Sequence, residues 1–90
     1  MTAPDAPIRV LHVVRRGADC YPLRIAERAG PADAVLLLGD GVYNRPPEGL
    51  RLYAAAACAA ERGVGEPPGR PIEDAEVVAL LFGADKVLGW

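Results

Sequence analysis

The sequence predicts an α/β fold: a small, mostly parallel sheet with flanking helices, stacked in three layers. Three observations carry this expectation. Two short aliphatic runs, residues 8–14 (IRVLHVV) and 34–38 (AVLLL), are hydrophobic almost without a break, as strands covered on both faces are. Apolar stripes with helical spacing separate and follow these runs, so strands and helices alternate along the chain. The 90 residues leave room for one core, with residues 1–7 a short polar lead and 8–90 the domain.

The first run lies between Pro7 and Arg15-Arg16-Gly17. Pro22 suits the first position of a helix, where its missing N–H is not needed. Leu23, Ile25, Ala26 and Ala29 give that helix its apolar stripe, and Gly30-Pro31 stops it. The second strand, 34–38, ends in a turn at Gly39-Asp40-Gly41, where Gly41 is expected to accept a positive φ. Residues 44–49 (NRPPEG) read as a loop.

Residues 50–63 (LRLYAAAACAAERG) admit two readings. Alanine is the best helix former, so propensity favours one continuous helix. The alternative is a strand over 50–55 and a short helix over 56–62, capped by Gly63. Another loop, 65–71 (GEPPGRP), follows. Asp74 is a candidate N-cap, with Glu76 in the first turn near the positive end of the helix dipole. Val77, Val78, Leu80 and Leu81 are expected to form the buried stripe of the last helix, which Gly83 ends. Residues 86–90 supply a short closing strand.

A domain this small buries only about 60–65% of the surface of its unfolded chain, which makes oligomerisation a natural remedy. Lys and Arg number 10 against 12 Asp and Glu, a formal charge of -2 that gives no general attraction for nucleic acid or anionic lipid. No apolar run reaches the ~20 residues that span a bilayer, and the start shows no signal-peptide core. Cys20 and Cys58 have neither CxxC spacing nor a His pair beside them, so they describe no zinc site and read as reduced thiols of a cytoplasmic protein. The single histidine, His12, excludes a His cluster for metal, and no glycine pattern of nucleotide-binding type is present. No cofactor is expected.

Several segments together resemble the DsrH/TusB family of small sulfur-relay subunits, which have a DsrE-like fold. The chain opens on VLHVV with His12, continues with AVLLLGDGVY containing Asp40, Gly41 and Tyr43, and finishes on DKVLGW with Trp90 last. Leu52-Tyr53 and the segment from Ala59 to Gly63 extend the likeness, which covers roughly residues 8–90. Arg16-Gly17 stands where the family usually has Ser-Pro. The resemblance implies the strand-then-helix reading of 50–63. It also implies an accessory subunit in a hetero-oligomer with DsrE/TusD-like and DsrF/TusC-like chains. That complex would pass persulfide sulfur towards 2-thiolation of the tRNA wobble uridine or towards cytoplasmic sulfur oxidation.

The residues that would carry a function can then be named. His12, in a buried strand, is first a hydrogen-bonded structural residue; no carboxylate stands near it in sequence, so a working role would require a partner subunit. Asp40, Gly41 and Tyr43 would line a subunit contact or a small polar pocket. Cys20 lies between Arg15-Arg16 and the helix start at Pro22, where positive charge favours the thiolate that persulfide transfer needs. It is the candidate sulfur acceptor if the chain is itself a carrier. Cys58 sits among alanines on a helix face and is the poorer candidate. Trp90 would fold back on the sheet or fill an interface. A homo-oligomeric binding module without sulfur chemistry is the remaining alternative.

Overall fold

The computed structural model describes residues 7–17, 24, 26, 30, 32–44 and 49–89. Five strands, β1 (Val10–Val14), β2 (Asp33–Leu37), β3 (Leu52–Ala55), β4 (Arg70–Ile72) and β5 (Lys86–Gly89), form one sheet in the order β4-β3-β2-β1-β5. Every pairing is parallel. A 3₁₀ turn, Gly39–Tyr43, follows β2; helix α1 (Ala56–Glu61) follows β3, and helix α2 (Asp74–Gly83) joins β4 to β5. Arg24 and Ala26, between β1 and β2, are also helical.

The strand order decides which face each helix covers. From β1 to β4 the chain steps in one direction, and from β4 to β5 it returns across the whole sheet. Right-handed crossovers then put the early helices on one face and α2 on the other. The two cores agree. Ala26, Val42 and Ala59 pack with Val14, Val35, Leu37 and Ala54, whereas Leu80 and Val77 pack with Leu11, Val13, Leu36, Tyr53 and Ile72. Strands β1 and β2, central and buried on both faces, are the near-continuous hydrophobic runs of the sequence.

The alanine-rich segment is strand and then helix, divided between Ala55 and Ala56. Pairing with β2, which sets Leu36 against Tyr53 and Leu37 against Ala54, outweighs helix propensity there. Gly63 lies just beyond α1 with φ 68°, and the Val64 N–H closes onto the Ala59 carbonyl at 2.9 Å.

The expected α/β arrangement, a parallel sheet with flanking helices, is present. Several finer expectations require correction. The loop expected over 65–71 gives way at Arg70 to β4, an edge strand of three residues that tolerates Pro71 because edge positions need fewer ladder bonds. The N-cap of α2 is Glu73, in extended conformation and without a side-chain cap bond; Asp74 is the first helical residue. Val78 and Leu81 do not belong to the buried stripe, since they are 48% and 37% exposed. The positive φ after β2 is at Gly39 (53°), not Gly41.

Candidate functional site

Residues 15–17 and 38–44 follow the carboxyl ends of β1 and β2, the edge where parallel sheets gather ligands. The two loops are locked together. The Leu38 N–H donates to the Val14 carbonyl at 3.0 Å, extending the ladder one step beyond β2. Gly41 is buried against this junction, and a Cβ there would overlap the Val14 carbonyl oxygen. A Cβ on Gly17 would stand 3.0 Å from the Asp40 carbonyl oxygen and 3.4 Å from the Tyr43 Cβ. Only glycine at position 41 lets the loops approach so closely, and a Cβ at position 17 would crowd them.

Asn44 fastens the arrangement. It is buried, and its Nδ2 donates to the Arg16 carbonyl at 2.7 Å and to the Gly41 carbonyl at 2.9 Å. One side chain thus bonds a carbonyl from each loop and ties the two loops together. Asp40 points outward and accepts from Arg62 Nε at 2.8 Å. That hydrogen bond is the main influence raising the Arg62 guanidinium above its ordinary range, so Arg62 stays charged. Tyr43 is 48% exposed, and Arg15 and Arg16 of the other loop are exposed as well. The described part of this edge therefore offers a phenol, two cations and a paired carboxylate on a rigid base. Those groups suit recognition of a partner surface.

β1 has β2 on one side and β5 on the other, so the loop at 15–17 rises from a strand covered at both edges. Cys20 and Trp90, both named from the sequence as candidates, lie outside the described residues. Cys58 is half-buried on α1 as a free thiol and packs against the core beneath that helix.

His12 is not at this edge. It is 1% exposed, and strand alternation puts it on the face of Val14 and Val35. Its carboxylate partner, which the sequence did not reveal, is in the same chain: Nε2 lies 3.0 Å from Asp33 Oδ2. An ionised carboxylate can only accept, so Nε2 carries the hydrogen. Asp33, 4% exposed, also accepts on Oδ1 from Arg9 Nη2 at 3.0 Å and Nε at 3.2 Å. No partner subunit is needed to pair His12. The structure thus separates the candidate residues into a buried histidine–carboxylate pair and an exposed edge built on Asp40, Gly41 and Tyr43.

An apolar groove of about 440 Å³ runs along α1 past Ala56, Ala60 and Val64 to Pro67 and Pro71. Its walls are only alanine, glycine, valine and proline, with no side chain that would orient a polar ligand. Among the described residues, no group of three or more His, Cys, Asp or Glu is placed to hold a metal ion. No helix among them is long and apolar enough to cross a membrane. Compared with known proteins, the chain matches no family model, no curated protein and no solved structure.

Proposed function

We propose that this chain is an accessory subunit of a DsrE-type sulfur-relay complex in the cytoplasm. It would work beside DsrE/TusD-like and DsrF/TusC-like partners and leave the persulfide chemistry to a cysteine of the former. The relay would serve wobble-uridine 2-thiolation of tRNA or cytoplasmic sulfur oxidation.

The observation that supports this reading best is the division of residues 50–63. Composition favours a helix throughout, while the resemblance to DsrH/TusB chains requires a strand over Leu52-Tyr53, and β3 is there. The GDGVY segment gives further support. It is a rigid turn that holds Asp40 and Tyr43 outward on buried Gly41, Val42 and Asn44, as a docking edge would. The exposed groups of that edge are suited to binding a protein surface more than to breaking bonds.

Affinity capture of the tagged chain from its own cells, with mass spectrometry of the co-purified proteins, tests the reading. Recovery of DsrE-like and DsrF-like chains in stoichiometric amounts is the expected result. Co-purifying tRNA-thiolation or sulfite-reductase components would identify the pathway. Capture of the bait alone would end the subunit reading and turn attention to Cys20, whose mass should then rise by one sulfur atom on incubation with a persulfide donor. A Cys20→Ser chain that accepts sulfur equally well would remove the carrier alternative too.

A further inference from the structure

The loop that follows β1 carries two positive charges that the described chain does not use. Arg15 and Arg16 are both exposed, and neither guanidinium makes a hydrogen bond or ion pair with a described residue. Other arginines are committed. At the amino end of the sheet Arg9 holds Asp33 at 3.0 Å, and Arg51 donates to the Tyr53 hydroxyl and the Pro7 carbonyl. On the carboxyl edge Arg62 holds Asp40 at 2.8 Å and contacts Glu61 at 3.6 Å, so Asp40 has its counter-charge without the 15–17 loop.

The backbone under the two cations is fixed. The Arg16 carbonyl accepts from buried Asn44, and Gly17 lies against the Asp40 carbonyl and Tyr43. Tyr43, half exposed, therefore stands one residue from Arg16. A surface held this way needs little ordering when something binds it, and arginine and tyrosine are the residue types that dominate protein contacts.

We propose that this corner of the carboxyl edge binds an acidic segment of a partner protein. Arg15 and Arg16 take its carboxylates, each guanidinium able to donate two parallel N–H bonds to one carboxylate, and Tyr43 packs against the segment beside them. The proposal rests on the reading of this edge as a docking surface and adds the chemistry of what docks. Charge along the edge gives the segment a direction. Glu73 and Asp74, both exposed, open α2 beyond β4, three strands from β1 and so roughly 14 Å away. Carboxylates placed at that end would be repelled, and the same carboxylates over β1 are attracted. Nucleic acid fits less well, because two arginines neutralise only two phosphates and the net charge of -2 opposes a polyanion.

Cross-linking tests this directly, because the chain has a single lysine, Lys86, at the start of β5 on the amino side of the sheet. Arg16→Lys keeps the charge and puts an amine on the carboxyl edge. Carbodiimide, which joins amines to carboxylates in contact, should then link position 16 of the tagged chain to an Asp or Glu of the protein captured with it from its own cells. Arg15→Glu combined with Arg16→Glu should lower recovery of that protein about tenfold or more with an unchanged far-ultraviolet circular dichroism spectrum, whereas Lys86→Glu should leave recovery as it was. Raising salt from about 0.05 to 0.5 M should release it from the wild-type chain. Equal capture by the double variant overturns the proposal, and so does a captured partner that never links to position 16 or a link confined to this chain's own carboxylates. A partner lost on nuclease treatment overturns it in favour of nucleic acid. Should the double variant unfold, the link from position 16 decides. DsrE-like chains captured equally by wild type and double variant remove this proposal and leave the relay reading standing; a wild-type chain that captures nothing removes both.

Discussion

Asp33 accepts hydrogen bonds on both carboxylate oxygens while almost wholly buried, one from His12 and the other from the exposed Arg9. Asp33→Ala would take from buried His12 its carboxylate acceptor, a loss of about 1–3 kcal/mol. Asp33→Asn keeps one accepting oxygen and should lose less; urea unfolding of both variants at equal m-value checks the order. Gly41→Ala acts through space: its methyl group meets the Val14 carbonyl, and the forced separation of the two loops should cost about 1–3 kcal/mol. Thermal melting that matched the parent would refute that close approach. The sequence shows Gly41 plainly, because a glycine after an apolar run is itself a signal. It does not show Asp33, since that residue stands 21 positions from His12 and meets it only when β1 and β2 lie side by side in register. Asn44 is hidden for the same reason: in the sequence it is one more loop asparagine, and its two acceptors belong to different loops.

Among the elements, the doubly covered strands and the closing strand at 86–90 were legible, and the edge strand β4 was not. β1 and β2 are central, and an uninterrupted aliphatic run is what a doubly covered strand needs. β4 is an edge strand of three residues containing proline, so nothing in its composition separates it from a loop. The segment at 50–63 was ambiguous because its local preference and its partners disagree. Alanine favours helix, and β2 offers a strand partner through Tyr53 and Ala54. A peptide of residues 50–63, freed of β2, should therefore become helical through Ala54 and Ala55 in trifluoroethanol, as circular dichroism and sequential amide contacts would show. A strand signature in the peptide would mean that the preference is local after all. The stripe assigned to α2 failed in part because the helix is apolar on more than one side; periodicity finds a stripe only where a polar face bounds it.

For the molecule as a whole, alternating strands and helices announced a parallel sheet but not the order of its strands. That order depends on where the last strand docks, and β5 docks on β1, with Val10 opposite Lys86. A chain ending after Gly83 would leave β1, whose last four residues are buried, as an open edge. Such a truncated protein should lose its cooperative thermal transition and aggregate, which light scattering during heating would detect; a soluble, two-state truncation would show that β5 is dispensable. Joining the first strand to the last also gives the fold a timetable. At ordinary rates of synthesis the ribosome takes roughly 5–20 s over these 90 residues. For about half of that time β1 and β2 have both been made while the neighbour that closes β1 has not. The sheet can be completed only when the final strand emerges. A stalled ribosome would therefore carry an open, aliphatic edge, the form of this protein that chaperones and proteases would meet.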